Sequence, residues 1–186
     1  MTCFAVFPTA IGPCGLAWRG EVIVAANLPE ATRQDTLHAI AKRSGGREGA
    51  PPPAISAAIA AITALLGGEP RDLLDLPCAF DGISPFDRQV YDATRAIAPG
   101  QTRTYGDVAR DLGDVAWSRR VGQTLGRNPL PIIVPCHRVL GSGGRLTGFS
   151  APGGVDLKLR MLSIERADHS AGEGLFDALP FARKPS

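Results

Sequence analysis

A cysteine, a histidine and an arginine stand side by side at the end of an apolar run, in "NPLPIIVPCHRVLGSGG" from Asn128 to Gly144. Three tasks would suit the thiol of Cys136. As a zinc ligand it would need Cys or His partners at short spacing, and only His137 is near. As a core residue it would be ordinary, since free cysteine is among the most buried side chains. As a nucleophile it would need a base and a cationic neighbourhood that favour the thiolate.

His137 and Arg138 supply a base and a cation, but the predicted local structure raises an objection. The run "PIIVP" predicts a short buried strand that ends at Cys136. Neighbouring side chains of a strand point to opposite faces, so the histidine would not contact the thiol directly, and a relay through one water stays open. Glu165, on the predicted helix "GVDLKLRMLSIERA", is a candidate to orient the histidine.

The first half of the chain predicts strands followed by helices. Three β-prone runs, "CFAVF", "GLAWRG" and "EVIVAAN", are separated by Gly and Pro and predict a small antiparallel sheet. "ATRQDTLHAIAKR" and "AISAAIAAITALL" predict helices that end at glycines. In "SPFDRQVYDATRAI" we expect Ser84 as the N-cap, Pro85 as the first helical residue and Asp87 as the returning acid of a capping box.

Two short helices are predicted before the cysteine. Thr104 caps the first, with Asp107 three residues on, and Gly113 ends it. Ser118 is expected to cap the second, which turns Val121 and Leu125 inward and carries arginines elsewhere (Arg119, Arg120 and Arg127). Two such helices form a helix-turn-helix pattern, although a packed helical hairpin without any DNA contact has the same pattern.

Charge is distributed unevenly along the 186 residues. Residues 101–167 hold ten Arg or Lys against five Asp or Glu, whereas residues 1–100 hold eight against ten. A polyanionic partner for the second half and a mixed solvated surface both account for this difference. Four cysteines without a CxxC pair indicate reduced thiols. The N-terminal residues lack a signal-peptide pattern and no apolar run is long enough to span a bilayer, so we expect a cytoplasmic protein.

The motif "NPLPIIVPCHRVLG", followed by "GRLTGFS", a Gly-Gly pair and a helix that ends in a glutamate, closely resembles the O6-alkylguanine-DNA alkyltransferases, or methylated-DNA-protein-cysteine methyltransferases. The resemblance extends from about residue 84 to 165, and more loosely to "TAIGPCGLAWRGEVIVAANLPE". It implies an α/β protein with a small N-terminal ribonuclease-H-like α/β domain (1–80), a mostly helical winged helix-turn-helix domain (81–167) and an irregular tail (168–186).

The resemblance also implies a function. Members repair DNA by direct reversal: they bind duplex DNA through the minor groove, flip the damaged guanine into a pocket and move its alkyl group to a cysteine. The reaction is suicidal, because the thioether is not a leaving group that the protein can regenerate. O6-alkylguanine in double-stranded DNA is the implied substrate, with O4-alkylthymine left open. We expect no cofactor and a monomer.

Five residues of this sequence match reacting or orienting positions of the family. Cys136 would be the alkyl acceptor, His137 the water-bridged base and Glu165 the residue that orients it. Asn128 would tie the turn around the site together. Tyr105 would donate a hydrogen bond to the guanine ring as it leaves, although a tyrosine in the first turn of a helix also packs half-buried on a core.

Further matches concern DNA and the pocket. Arg119 would fill the hole left by the flipped base, unless it contacts phosphate, a role that suits Arg120. Pro131 and Val139 would line the pocket, Val139 offering its backbone carbonyl to the base. The backbone N–H of Ser150 would reach the alkylated oxygen.

The chain departs from the family in two places. Ala151 and Pro152 stand between the serine and the Gly-Gly pair, and we expect this longer, proline-stiffened loop over the pocket to affect which alkyl groups fit. Some relatives carry zinc in the N-terminal domain, but this chain does not reproduce the ligand spacing (Cys3, Cys14, His38 and Cys78), so we expect no metal.

Two other functions are weighed against alkyl transfer. A module that binds lesions without repairing them would lack the acceptor cysteine, which this chain keeps. A cysteine hydrolase unrelated to DNA is disfavoured by the adjacent histidine and by the helix-turn-helix pattern.

Overall fold

A four-stranded sheet forms the N-terminal half of the molecule. The computed structural model describes residues 1–147, 149 and 151–167, so the predicted tail lies outside the described residues. Strands β1 (Thr2–Phe7), β2 (Cys14–Arg19) and β3 (Val22–Asn27) pair antiparallel in succession, which confirms the predicted sheet. The short β4 (Arg47–Glu48) adds in parallel to β1, giving the order β3-β2-β1-β4. Two residues are too few for a period-two pattern, so the sequence did not indicate β4.

The N-terminal half also contains two helices, one after β3 and one after β4, and the sequence predicted both. Helix α1 (Arg33–Ser44) begins after the N-cap Thr32 and ends at Gly45, whose φ of 61° is the left-handed conformation that glycine adopts without strain. A Cβ on Gly15 of β2 would lie 2.9 Å from the Cβ of Ile40, so this glycine lets α1 approach the sheet closely. Helix α2 (Pro53–Leu66) buries its apolar side chains in the larger core.

The second half is mainly helical. Its regular elements are α3 (Pro85–Arg95), β5 (Arg103–Thr104), α4 (Tyr105–Asp111), α5 (Ser118–Gly126), β6 (Val139–Leu140) and α6 (Gly154–Ile164). Strands β5 and β6 pair in parallel. Single turns of 3-10 helix lie at Val115–Trp117, Cys136–Arg138 and Ser142–Gly144.

The helix caps follow the sequence in two cases. The Ser84 hydroxyl accepts the N–H of Asp87 at the start of α3. Thr104 and Asp107 form the predicted capping box of α4: the Thr104 hydroxyl accepts the Asp107 N–H at 3.1 Å, and the Asp107 carboxylate accepts the Thr104 N–H at 2.9 Å. These bonds satisfy N–H groups that a helix start leaves unpaired.

Two of the predicted caps are wrong. The Asp87 carboxylate accepts the hydroxyl of Thr124 on α5 and does not accept the backbone N–H of Ser84 that a capping box requires. Ser118 is the first residue of α5, and its hydroxyl donates to the carbonyl of Val115. For Asp87 the partner is a residue of another helix, and for Ser118 it is a carbonyl of the preceding turn. Neither is the helix N–H group that the spacing suggested.

The core joins the two halves. One cluster of buried side chains has members from the sheet, from α2 and from the second half, among them Leu16, Ile62, Val90, Leu130 and Met161. The N–H of Ala26 on the edge strand β3 donates to the carbonyl of Pro129 at 2.9 Å. The sheet therefore anchors the segment that leads to Cys136. Among the described residues, no helix has the length and apolar character needed to cross a membrane.

Candidate active site

The segment before Cys136 is a buried turn, and the predicted strand is wrong. A bridge between Pro131 and Val134 closes the turn. Prolines at positions 129, 131 and 135 lack the N–H groups that a central strand donates. Ile132 adopts a φ of 77°, a strained conformation for a β-branched residue. The apolar character of the run thus reflects burial in the core and not strand pairing.

Asn128 holds this turn in place. Its Oδ1 accepts the N–H of Leu130 at 2.9 Å, and its Nδ2 donates to the carbonyl of Val134 at 2.8 Å. Because Asn128 is buried, these bonds satisfy backbone groups that are shielded from solvent. The N–H of Cys136 donates to the same Val134 carbonyl at 2.8 Å, so the turn also fixes the cysteine.

Cys136 begins a 3-10 helix, which changes its relation to His137. In this helix successive side chains are about a third of a turn apart, so the strand-based objection to a histidine beside the thiol does not apply. Cys136 is partly exposed, whereas His137 is buried.

His137 pairs with Glu165, which follows α6. The Nε2 of His137 lies 3.0 Å from Oε1 of Glu165, and the side chains are 1% and 2% exposed. Burial alone would raise the pKa of Glu165, but the hydrogen bonds and charges of His137 and Arg138 lower it to about 2. At neutral pH the carboxylate therefore only accepts hydrogen bonds, and Nε2 must carry the proton.

This tautomer leaves Nδ1 of His137 as the basic atom of the ring. Burial lowers the pKa of His137 against the opposing effect of Glu165, which favours the neutral imidazole. Among the residues that the structure describes, Nδ1 has no hydrogen-bond partner, although it is buried. A neutral histidine with an unpaired basic nitrogen is suited to accept a proton.

Arg138 completes the group around Glu165. Its Nε donates to Oε2 at 2.8 Å and its Nη2 to Oε1 at 2.7 Å, while Nη1 donates to the carbonyl of Ile97. Two parallel bonds of this kind fix both the position and the plane of a carboxylate. Glu165 is thereby held rigidly against the histidine.

A small pocket opens at Cys136. Its volume is about 110 Å³, and both halves of the chain contribute to its lining, among them Asn27, Glu30, Arg43, Asn128, Pro131, Cys136 and Phe149. Ala151 and Pro152, by which the loop departs from the family pattern, line it as well. Burial raises the pKa of the Cys136 thiol, and a hydrogen bond from Asn128 and the charge of Lys158 act in the opposite direction. Burial therefore favours the protonated thiol over the thiolate.

Tyr105 is the first residue of α4. Its hydroxyl donates to the carbonyl of Thr147 at 3.2 Å. Burial, with a contribution from Cys136, raises the pKa of Tyr105 to about 12, so the phenol keeps its proton and remains a donor. Tyr105 is half-buried, and its ring packs close to Gly122 of α5.

Three residues were predicted to form the pocket: Pro131, Val139 and Ser150. Pro131 lies in the turn and lines the pocket. Val139 is buried in β6, and its carbonyl accepts Nζ of Lys158 at 2.6 Å, which leaves one lone pair for another donor. Ser150 lies outside the described residues.

Arg119 and Arg120 are exposed on α5. Arg119 lines a wide depression of about 740 Å³ together with Tyr105, Gly122 and Ser142. Within the part of the chain that the structure describes, no carboxylate pairs with Arg119. The guanidinium of Arg120 lies 3.6 Å from the centroid of the Phe86 ring.

The other cysteines lie apart from this site. All four cysteines are free thiols, and Cys14 is buried with its pKa raised to about 11 by burial. Among the described residues, no three His, Cys, Asp or Glu side chains are grouped so that they could hold a metal ion.

Known proteins resemble this chain over most of its length. The family model described as "6-O-methylguanine DNA methyltransferase, DNA binding domain" matches residues 85–167. A methylated-DNA-protein-cysteine methyltransferase of Mycolicibacterium paratuberculosis is 36% identical over 167 residues, covering 90% of this chain and 94% of the relative. This chain belongs to the same family. A second methyltransferase of that name, from Mycobacterium bovis, is 33% identical and covers 95% of this chain and 100% of the relative.

Solved structures agree with this family membership. The crystal structure of Mycobacterium tuberculosis O6-methylguanine methyltransferase is 31% identical, with a TM-score of 0.73 over 95% of this chain and 98% of that one. M. tuberculosis OGT in complex with DNA has the same TM-score at 32% identity, over 88% and 92% of the chains. The mixed α/β architecture, with an N-terminal sheet, is therefore that of this methyltransferase family.

Lys158 is a buried charged residue beside this candidate site, and it was not predicted from the sequence. It is fully buried on α6, and Nζ donates to the carbonyls of Val139 and Thr147. Lys158 shares one helical face with Met161, Leu162 and Glu165, at spacings of three, four and seven residues. A lysine on the face of the helix that is otherwise buried was the sequence signal that could have identified it.

Proposed function

We propose that this methyltransferase moves the alkyl group of O6-alkylguanine in double-stranded DNA to the sulfur of Cys136, once per protein molecule. The observation that carries the proposal is the unpaired, buried Nδ1 of His137, in a ring whose other nitrogen is held by an ionised Glu165. Together with a partly exposed thiol at a pocket, this is the chemistry of an activated cysteine. The names of the relatives support the same reaction.

Activation begins with a proton leaving the thiol. We assign the role of base to Nδ1 of His137, which receives the Cys136 proton through one water molecule. Glu165 would stabilise the imidazolium that results, and Arg138 keeps this carboxylate ionised and in place. The low pKa of Glu165 supports an electrostatic role, because the group does not take up the proton itself.

The displacement itself breaks one bond and forms one. The thiolate of Cys136 attacks the alkyl carbon, the S–C bond forms, and the bond from that carbon to O6 breaks with its electron pair going to guanine. In this proposal the Tyr105 hydroxyl donates to the guanine ring and limits the negative charge that develops there. His137 holds the proton taken from the thiol, and the guanine anion released by the displacement takes up one proton on its ring. Overall a thiol and an alkylguanine therefore become a thioether and guanine.

Pocket residues would hold the flipped base. The second lone pair of the Val139 carbonyl and the wall formed by Pro131 are assigned to this task, with the backbone N–H of Ser150 as the donor to the alkylated oxygen. Asn128 acts as the hinge that keeps the turn and Cys136 in register, which its two buried hydrogen bonds support.

DNA would lie against α5 and α4. The exposed Arg119, with no carboxylate partner in the described parts of the chain, suits insertion into the base stack where the guanine has left. Arg120 is assigned to a phosphate, although its stacking on Phe86 would have to persist or give way on binding.

The finer description of the fold belongs to this proposal. We divide the chain into a ribonuclease-H-like domain (1–80), a winged helix-turn-helix domain (81–167) and a tail (168–186). A three-stranded antiparallel meander followed by α1 and a parallel β4 supports the first assignment, and the packing of α4 against α5 supports the second.

A cytoplasmic monomer fits this chemistry best. Four free thiols, one of them the acceptor, suit a reducing compartment. The proposed acceptor, base and orienting residue come from a single chain, so the reaction as drawn needs no second copy.

Replacement of the acceptor tests the proposal. Cys136→Ala should abolish removal of O6-methylguanine from a duplex, measured by mass spectrometry of the digested nucleosides, while binding of the duplex persists. Cys78→Ala, at another partly buried cysteine, is the matched control and should repair like the parent protein. Persistent repair by the Cys136→Ala variant would exclude Cys136 as the acceptor.

A further inference from the structure

Lys158 is a buried cation in an unusual setting. Its side chain is fully buried, and Nζ donates to the carbonyls of Val139 at 2.6 Å and Thr147 at 3.2 Å. Among the described residues, no carboxylate lies within 4.0 Å of this ammonium. Buried charges in proteins are normally paired, because an isolated ammonium loses its hydration.

The titratable groups packed around Lys158 belong to the proposed site. Val139, whose carbonyl accepts Nζ, directly follows the 3-10 helix that carries Cys136 and His137, and α6 packs against that helix. The ring of Tyr105, from α4, lies 6.0 Å from Nζ. From this position the charge of Lys158 lowers the pKa of both the thiol and the imidazole. Burial lowers the pKa of Lys158 to about 8, and among the described residues the charge of the Cys136 thiolate acts in the opposite direction. The ammonium is therefore uncompensated while the thiol is protonated, and it gains a counter-ion when the thiolate forms.

We infer that Lys158 is a positioning residue that stabilises the thiolate of Cys136 as its buried counter-ion. This inference rests on the proposed function, because the thiolate is the group that would accept the alkyl group. The two carbonyls fix Nζ, so the lysine does not move to solvent when the thiol is neutral. A thiolate that forms in the pocket therefore meets a cation already in place.

A purely structural role is the competing explanation. The Thr147 carbonyl accepts both Nζ of Lys158 and the hydroxyl of Tyr105, each at 3.2 Å, so the lysine also ties this segment to α6 and α4. A neutral hydrogen-bond donor could do this, whereas Lys158 acts on the Cys136 thiolate through its charge and not through a hydrogen bond to the sulfur. Glutamine and methionine at position 158 separate the two roles, because glutamine retains donors and methionine retains only bulk.

The first experiment measures the thiol without DNA. Iodoacetamide is reacted with the parent protein, K158Q, K158M and the control K42M, whose lysine is exposed on α1, and modification of the Cys136 peptide is followed against pH. K158Q and K158M should both react at least about tenfold more slowly near neutral pH, with the profile moved to higher pH, because an adjacent opposite charge lowers a pKa by about one to three units. K42M should match the parent. A K158Q profile equal to that of the parent would overturn the inference.

A second measurement keeps Lys158 intact and does not depend on the folding of its variants. The chain has three lysines, so the NMR signal of the Lys158 amine can be assigned and titrated in the parent protein and in C136S. Coupling between two sites is reciprocal, so the amine should titrate at lower pH when no thiolate can form. An unchanged or higher titration midpoint in C136S would overturn the inference.

Repair assays separate the two proposals. If the parent protein clears O6-methylguanine and K158Q does so equally fast in a single turnover, the inference about Lys158 fails and the proposed function stands. If the parent transfers no methyl group, yet K158Q slows the iodoacetamide reaction as expected, the proposed function fails and the counter-ion role stands.

Discussion

Replacing Arg138 by methionine should destabilise the protein strongly, because it leaves a buried carboxylate without its cation. Arg138 and Glu165 are 5% and 2% exposed, and the guanidinium donates two bonds to the carboxylate and one to Ile97. Breaking a buried pair by removing one partner costs about 3–5 kcal/mol. Since whole domains are stable by about 5–15 kcal/mol, R138M should unfold at a much lower urea concentration.

A matched control comes from an exposed ion pair. Arg88 and Asp92 lie four residues apart on α3, are both 49% exposed, and are joined by a 2.8 Å bond. R88M should change the unfolding free energy by no more than about 0.5 kcal/mol. The double variant R138M/E165Q should be less destabilised than the sum of its single variants, because neither charge is then left alone.

The pH dependence of R138M follows from the pKa of Glu165. A carboxylate whose folded pKa is about 2 contributes stability above its unfolded value near 4.5, and this contribution is lost as the pH falls toward 2. The difference between the parent and R138M should therefore shrink between about pH 5 and pH 2. A loss below about 1 kcal/mol at pH 7, or strict additivity in the double variant, would show that Glu165 does not depend on Arg138 for its stability in the core.

Three further perturbations test the geometry around the site. Asn128→Ala removes two buried bonds and should cost about 2–4 kcal/mol in urea unfolding; a loss under 0.5 kcal/mol would show that the turn does not depend on it. Thr104→Ala removes the N-cap of α4 and should cost about 1 kcal/mol, with no change expected in the unfolding slope. Tyr105→Phe should slow single-turnover repair about a hundredfold if the phenol donates to the leaving guanine, and an unchanged rate would exclude that role.

Local patterns in the sequence specified most of the regular elements. β-prone runs separated by Gly and Pro predicted β1 to β3, and the capping box of Thr104 and Asp107 placed the start of α4. Helix α6 was also predicted, and the resemblance supplied Glu165 as the partner of His137, a pairing that lies 28 residues apart in the chain. Spacing alone offered Glu165 only as a candidate.

Long-range packing decided the features that the sequence did not predict. The run 131–134 has the composition of a buried strand, but prolines and the side chain of Asn128 make it a turn. The Asp87 carboxylate accepts the Thr124 hydroxyl because α5 packs against α3. No local sequence pattern indicates this packing. Lys158 was missed since a charge at a core position has meaning only once the carbonyls and the thiol around it are known.

The most direct test of the account is the mass of the protein after one equivalent of a duplex with a single O6-methylguanine. We expect a gain of one methyl group, located on the peptide that contains Cys136, which saturates at one per protein molecule however much duplex is added. Binding of the duplex without a change in mass, a methyl group on another residue, or repair that continues beyond one equivalent would each contradict it.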